Sequence, residues 1–315
     1  MAKTDVDMAI NVAASGETAL HAAVHGDARR ALKVLLDHGA DINILSADGY
    51  APLHEAADSA SWTELLVDYG ADPKLENPNN GSQPLHMAAR LGKADVCNLL
   101  MSAGADINAA SKDGLTPLHE AAQHSQAEII ELLIAAGAAC MAEDKQHKTP
   151  LSAALTTTYG PAARPASFAD DKLVATVSAL LSHGAGTRKR KQAWPELAEA
   201  ASAGHAAVVQ LLINKGAPAS SEALVEAARF GRLEVVELLL KRGAKAQQAS
   251  SEQPGALHMA ARFGHAQVVH LLIDYGASTT GMTSDLTVCL TWWLACDCSR
   301  DDHCFSNSLP GKPSL

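Results

Sequence analysis

The chain has 315 residues, of which 47% are apolar and 4% aromatic. It carries a net charge of −10, from 25 lysines and arginines against 35 aspartates and glutamates. This apolar content is sufficient to bury a core and excludes wholesale disorder, and the acidic balance argues against nucleic-acid binding, which needs clustered positive charge. No apolar run approaches the roughly 18 residues of a membrane-spanning helix, so we expect no membrane insertion.

Two sequence anchors recur along the chain in one phase. The first is a leucine within variants of Thr-Pro-Leu-His, and the second is a Gly-Ala dipeptide that closes each unit. Internal repetition at a period of roughly 33 residues predicts a stack of eight similar units. The anchor leucines are Leu20, Leu53, Leu85, Leu118, Leu151, Leu197, Leu224 and Leu257, and the dipeptides begin at Gly39, Gly70, Gly104, Gly137, Gly184, Gly216, Gly243 and Gly276.

The segment from Thr116 to Ala122 shows what each position contributes. Thr116 is suited to cap a helix, and Pro117 in the first helical position sacrifices no hydrogen bond. Leu118 points into the stack, and the paired alanines Ala121 and Ala122 allow two helices to approach closely. Glycines are expected to end the first helix of several units as left-handed caps, namely Gly92, Gly204, Gly231 and Gly264.

A second helix follows the first in each unit. In the apolar segment 235–240 the spacing is helical, and Glu237 and Lys241 lie four positions apart on the exposed face. Asp-Gly pairs at 48–49 and 113–114 predict tight turns between units. Each unit is therefore predicted to consist of two helices followed by a turn.

This pattern resembles the ankyrin repeat family, most specifically in the sequence D-G-x-T-P-L-H-x-A-A at residues 113–122. The resemblance covers roughly residues 15–278. It implies an all-α fold, an α-solenoid of helix-turn-helix pairs with β-turn fingers projecting to one side, stabilised by stacking between neighbours. It also implies that the concave surface of fingers and inner helices binds a partner.

The chain divides into three parts. Residues 1–14 form an N-terminal segment or partial repeat, residues 15–278 an array of about eight ankyrin repeats, and residues 279–315 a non-repeat tail that contains cysteines. Within the array, residues 156–170 are an insertion in repeat five and residues 188–191 a basic linker.

Besides the long repeat five with its insertion, two places depart from the regular repeat length. Repeat two lacks a helix-ending glycine at residues 58–61, so its first helix should be cramped. The interval from Leu197 to Leu224 is clearly shorter than the usual period, which leaves almost no room for a turn finger between repeats six and seven.

Candidate partner-binding residues lie at the finger tips and at the two variable positions after the paired alanines. Arginine and aromatic side chains dominate interface energetics, so the Arg-Phe pairs of repeats seven and eight are the best candidates. They lie one repeat apart and should stack as a ladder, although such pairs also suit packing between repeats. The full set is Tyr50, Arg90, Leu91, Lys112, Leu115, Gln123, His124, Arg229, Phe230, Arg262 and Phe263.

Asn43 and Asn108 are candidate modification sites. Their Asp-Ile-Asn segments resemble the ankyrin asparagines hydroxylated by the oxygenase that inhibits the hypoxia-inducible transcription factor, and the family also commonly places this tripeptide in its inter-repeat turn.

We expect no cofactor and no metal, because most of the fourteen histidines fall at repeat positions. An alternative zinc site of non-standard spacing lies in the tail, at Cys289, Cys296, Cys298, His303 and Cys304.

The chain carries no phosphate loop, nucleophile elbow or kinase signature, so we predict a non-enzymatic adaptor or scaffold that binds a protein. One alternative is a substrate-recognition subunit of a ubiquitin ligase, suggested by a weak likeness of Leu286, Cys289 and Leu309–Pro310 to a short helical box. A further alternative is a fragment of an ankyrin-containing protein palmitoyltransferase, suggested by residues 302–304.

Charge and cysteine usage give expectations about partners and compartment. An acidic array favours partners with basic patches and no nucleic acid. Residues 1–16 lack the apolar segment of a secretory signal, and six irregularly spaced cysteines do not form a disulfide framework. We therefore expect a chain that is monomeric alone and cytoplasmic, or nuclear if Arg188–Lys191 acts as a localisation signal.

Overall fold

The computed structural model describes residues 16–156, 169–186, 194–246 and 255–277. These ranges belong to two compact units, Met1–Lys191 and Gln192–Leu315. All regular structure in the described ranges is helical and no β-strand occurs there, which confirms the all-α prediction.

Within residues 16–156 and 169–186, the first unit contains five helix pairs, each made of an inner helix followed by an outer one. The pairs are α1 (Ala19–His25) with α2 (Arg29–Asp37), α3 (Pro52–Glu55) with α4 (Ala60–Asp68), α5 (Pro84–Leu91) with α6 (Ala94–Ser102), α7 (Pro117–Gln123) with α8 (Ala127–Ala135), and α9 (Pro150–Leu155) with α10 (Ala169–Ser182).

Within residues 194–246 and 255–277, the second unit contains three helix pairs of the same kind. They are α11 (Pro195–Ala203) with α12 (Ala206–Asn214), α13 (Ser221–Arg229) with α14 (Leu233–Lys241), and α15 (Ala256–Arg262) with α16 (Ala266–Asp274). Helix α13 packs against both α11 and α15, as the stacking of repeats requires.

The core consists of the anchor leucines and the small residues beside them. Leu118 is 1% exposed, and Ala121 and Ala122 are fully buried. These small side chains let α7 pack against α5 on one side and α9 on the other. Truncating such a leucine to alanine costs about 2–5 kcal/mol of stability, so the leucine row fixes the stacking of each unit.

Helix ends lie where the sequence predicts them, although the Thr116 hydroxyl pairs with a side chain and makes no capping hydrogen bond to the backbone. Thr116 precedes α7, and its hydroxyl lies 2.9 Å from Nδ1 of His119, which also accepts the Thr116 backbone N–H. Gly92 and Gly204 end α5 and α11 in the left-handed region, with φ of 73° and 88°. Glycine adopts this conformation without strain, so these two inner helices close as predicted.

The inner helix of repeat two is cramped, as predicted. Helix α3 has only four residues and continues as a 3-10 helix over Ala56–Asp58. Ser59 then turns to extended backbone directly before α4.

The connection between repeats six and seven is also short. Only residues 215–220 join α12 to α13, and the hydroxyl of Ser220 caps α13 by accepting the backbone N–H of Ala223. Among the described helices, none combines the length and apolar character needed to cross a membrane.

Candidate partner-binding surface

The turn fingers of the first unit form a hydrogen-bonded row. Within one finger the Ser111 N–H donates to the Leu115 carbonyl over 2.8 Å. Between fingers, the Lys112 N–H donates to the Asn80 carbonyl over 2.8 Å. Because neighbouring fingers share backbone hydrogen bonds, the row is a fixed edge of the first unit.

A buried histidine joins each of the first four inner helices to the following finger. In repeat two, the Ala51 N–H donates to Nδ1 of His54, and Nε2 of His54 lies 2.9 Å from the Ser82 carbonyl. A carbonyl only accepts, so Nε2 carries the proton and the ring is neutral. The four finger carbonyls joined in this way belong to Tyr50, Ser82, Leu115 and Lys148, and their histidines are His21, His54, His86 and His119.

Burial lowers the pKa of all four histidines below the ordinary value of 6.5, and hydrogen bonding opposes this effect. All four side chains are at most 1% exposed. Protonation of these buried histidines therefore affects the stability of the fold, and their side chains are not accessible to a partner.

The three candidate finger residues differ in accessibility. Lys112 is exposed, and its Nζ donates to the Pro78 carbonyl of the preceding finger. Tyr50 and Leu115 are half-buried, and the Tyr50 ring meets His54 edge-on at 5.8 Å between centroids. Lys112 is the finger side chain best placed to meet a partner, and Tyr50 also has a packing role.

Inner-helix ends of repeats three and four carry a second group of candidates. Arg90, Leu91 and His124 are exposed, with Leu91 43% accessible, whereas Gln123 is half-buried. Burial raises the pKa of Glu120, and the nearby His124 and Arg90 oppose that rise. Arg90 and His124 thus share one acidic neighbour on this face.

The second unit brings its four candidates into one cluster, which we call the Arg–Phe ladder: Arg229, Phe230, Arg262 and Phe263. The Arg229 guanidinium lies 5.3 Å from the Phe230 ring centroid and 5.9 Å from that of Phe263. Arg262 stands 5.9 Å from the Phe263 centroid. The Arg229 guanidinium thus joins the two rings across one repeat, and the rings stay open to solvent, 41% and 48% exposed.

The asparagine candidates bridge adjacent repeats. Oδ1 of Asn43 accepts the Asp72 N–H, and Oδ1 of Asn108 accepts the Ala139 N–H, each over 2.9 Å. The side chains therefore have a structural role. Their modification stays a prediction.

A cleft between the first two repeats was not predicted from the sequence. It has a volume of about 550 Å³ and lies beside the shortened inner helix of repeat two. Its lining residues are Val24, His25, Asp27, Arg29, Glu55, Asp58, Ser59, Ser61 and Trp62. The absent glycine at residues 58–61 was the one sequence signal that pointed to this place, because it indicated a shortened helix.

Three side chains at the cleft could hold a metal ion by residue type: Glu17, His25 and Glu55, with ligand atoms within 4.8 Å of one another. Nδ1 of His25 lies 2.7 Å from Glu17 and Nε2 lies 3.2 Å from Glu55. The two ring nitrogens thus face different carboxylates, which suits an ion bridge better than a single metal.

Other predicted features lie outside the described residues. These are the tail with its cysteine and histidine cluster and helical-box residues, the basic linker 188–191, the segment 1–14 and residues 157–168 of the insertion. The proposed limits of the array at residues 15 and 278 stay a prediction.

Comparison with known proteins gives the relationships of the chain. It is 35% identical over 98 residues to ankyrin repeat protein FPV024 of fowlpox virus (strain NVSL), which is 30% of this chain and 16% of that protein. It is 39% identical over 93 residues to FPV031 of the same virus, 28% and 27% of the two chains. It is also 36% identical over 103 residues to the tyrosine-protein kinase HTK16 of Hydra vulgaris, and the matched segment is 32% of this chain and 14% of that protein.

The chain therefore spans between 14% and 27% of the length of these relatives. A family model described as ankyrin repeats (three copies) matches residues 2–77, 48–111, 85–164, 166–250 and 224–292. Ankyrin repeats are generally protein–protein interaction modules, typically without enzymatic activity. With helix pairs of the expected kind and a family model that matches along nearly its full length, the chain belongs to the ankyrin repeat family.

Proposed function

We propose that the chain is an adaptor or scaffold that binds another protein, with the Arg–Phe ladder of the second unit as its main contact surface. One observation carries the proposal: a single guanidinium, that of Arg229, lies over two half-exposed phenylalanine rings. Exposed aromatic rings held rigidly beside arginines are typical of interface hot spots.

The ladder is preorganised for binding. Nε2 of His265 donates to the Arg229 carbonyl over 3.0 Å, and Nε of Arg232 donates to the Ser202 carbonyl over 3.0 Å. These contacts fix the C-terminal ends of the inner helices. A partner would therefore bury the two rings with little loss of conformational entropy, which favours affinity.

The candidates of the first unit would extend the contact area. Arg90, Leu91, Gln123 and His124 occupy inner-helix ends equivalent to those of the ladder, and Lys112, Tyr50 and Leu115 lie in the fingers. We propose these residues as secondary contacts in a chain that is monomeric alone and works in the cytoplasm or nucleus.

The test measures which proteins co-purify with the full chain and with Phe230→Ala/Phe263→Ala. We expect partner recovery to fall at least tenfold in this variant with the helical content unchanged. The matched control is Tyr69→Ala/Tyr275→Ala, which removes two rings that are 40% and 45% exposed at outer-helix ends. Equal partner recovery from the ladder and control variants would refute the proposal, and lost helicity would show that the ladder rings belong to the core.

We also propose hydroxylation of Asn43 and Asn108 in a cell that contains the matching oxygenase. Both side chains bridge repeats through Oδ1, so an oxygen added at Cβ would leave those hydrogen bonds in place. Peptide mass spectrometry should detect the gain of one oxygen atom. Complete absence of the modified peptides would overturn this proposal.

A further inference from the structure

The cleft between the first two repeats carries more acid than base. Asp27, Glu55 and Asp58 line it, with His25 and Arg29 as its basic groups. Glu17 adds a further carboxylate behind the lining, where it contacts His25. The Glu55 side chain is only 17% exposed, while that of His25 is 57% exposed. A largely buried carboxylate needs a cation or several hydrogen-bond donors close by.

His25 alone does not meet that need. Its ring nitrogens lie 2.7 Å from a Glu17 oxygen and 3.2 Å from a Glu55 oxygen. A neutral imidazole has one N–H, so with His25 neutral one of the two carboxylates lacks a donor from the ring. With His25 neutral, these three side chains therefore lack a positive charge that would balance the carboxylates.

The wall of the cleft already holds a guanidinium of the same chain. The Arg29 guanidinium lies 5.4 Å from the Trp62 ring centroid, and its Nη2 donates to the Ser61 hydroxyl over 2.5 Å. Nε of Arg29 stands 3.9 Å from Asp27, which in turn accepts the Trp62 indole N–H over 2.8 Å. Trp62, Asp27 and Ser61 thus hold the Arg29 guanidinium by stacking and polar contacts, and Trp62 itself is buried.

We propose that this cleft binds a lysine or arginine side chain of the partner protein, with Glu55 and Glu17 as its counterions. The volume of about 550 Å³ leaves room for a long side chain beside Trp62. The inference rests on the proposed function of the chain as a protein-binding module, and adds the chemistry that the partner must present to the first unit.

A divalent metal ion is the competing occupant. It would need ligands that converge on one point, whereas the nitrogens of His25 face opposite carboxylates. An extended cationic group reaches Glu17 and Glu55 without moving that ring. A metal titration is therefore one arm of the experiment.

The probe is a short peptide of alternating arginine and serine, beside an identical peptide with neutral citrulline in place of arginine. Binding to the ¹⁵N-labelled full chain is followed by NMR at the indole N–H of Trp62, whose signal is assigned with a Trp62→Phe variant. We expect the arginine peptide to shift this signal and the citrulline peptide to leave it in place.

Affinities are then compared by fluorescence anisotropy. Glu17→Gln/Glu55→Gln keeps side-chain size and should bind the arginine peptide at least tenfold more weakly, about 1.4 kcal/mol. The control Asp95→Asn/Glu128→Gln makes the same change in net charge on outer helices α6 and α8 and should bind within about twofold of the wild type.

Three results would overturn the inference: equal affinity of the cleft variant and the wild type, equal binding of the citrulline peptide, or a Trp62 shift with zinc chloride but not with the arginine peptide. The proposed function has its own readout in the ladder variant. If the cleft fails these tests while partner recovery still depends on Phe230 and Phe263, only the inference about the cleft is lost.

Discussion

Acidification should destabilise the first unit through its four buried histidines, His21, His54, His86 and His119. Burial lowers their pKa values in the folded state, whereas in the unfolded chain they titrate near 6.5. Below pH 6.5 the unfolded state therefore binds more protons, and the free energy of unfolding falls as the pH falls. The contribution is fully present above pH 6.5 and is lost as the pH drops toward the folded-state pKa values.

The size of the effect follows from proton counting. Each histidine contributes at most about 1.4 kcal/mol per pH unit, so four contribute at most about 5 kcal/mol between pH 6.5 and 5.5. Glu55 and Glu120 act in the opposite direction. Burial raises the pKa values of both carboxyl groups, that of Glu55 to about 6, so the folded state holds their protons more tightly than the unfolded state does. Proton uptake by these two carboxyl groups therefore brings the net loss below the histidine limit of about 5 kcal/mol per pH unit.

Hydrogen exchange of the full chain at pH 7.5 and 5.5, corrected for the intrinsic exchange rate, resolves the two units in one sample. We expect the opening free energy of residues 16–156 to fall, with residues 194–246 as an internal control that contains none of these four histidines. His86→Gln removes one titrating group and should make the fall smaller by about 1 kcal/mol per pH unit. An opening free energy of residues 16–156 that stays constant or rises on acidification would refute the reasoning.

Two further predictions concern single sites. Gly92→Ala should lower the free energy of unfolding in urea by about 2 kcal/mol, because φ is 73° and the new Cβ meets the Gln126 amide, which donates to the Arg90 carbonyl at the end of the inner helix. The control Gly70→Ala, with φ of 88° and open space around the new Cβ, should cost about 1 kcal/mol. Equal costs would contradict the role of Gln126. Burial raises the pKa of the Cys97 thiol to about 12, so iodoacetamide at pH 8 should alkylate the less buried Cys140 first, and peptide mapping that shows Cys97 reacting first would contradict this order.

The fold was predictable from the sequence because its contacts repeat with the chain. Leu118 and its equivalents recur at 32 or 33 residues, except across the insertion of repeat five and in the short interval after Leu197, and each is buried. The start of helix α7 follows from local chemistry, since Thr116 sits directly before Pro117 in the first helical position. The missing glycine of repeat two likewise predicted a cramped helix, which the 3-10 segment at Ala56–Asp58 shows.

The cleft was not predictable in the same way. The indole of Trp62 meets Asp27 across 35 positions of sequence, and Arg29 reaches Ser61 across 32. None of these residues occupies a consensus position, so the period of the repeat does not pair them. The ladder is intermediate: a one-repeat spacing predicted the stack, but only the structure shows that Arg229 touches both rings.

The distribution of charge changes what the net value implies about partners. Residues 16–156 contain nineteen aspartates and glutamates against nine lysines and arginines, a balance of −10, whereas residues 194–246 and 255–277 together contain seven of each. The expectation of a basic partner therefore applies to the first unit, where acidic residues outnumber basic ones. The ladder presents Arg229 and Arg262 from a neutral background, so the partner segment that meets it should offer carboxylates or aromatic rings.

Under the proposed function, one partner would satisfy both units with a basic segment and an acidic or aromatic one. Raising the salt concentration should then weaken the contact at the cleft more than the contact at the ladder, because the ladder also buries two phenylalanine rings.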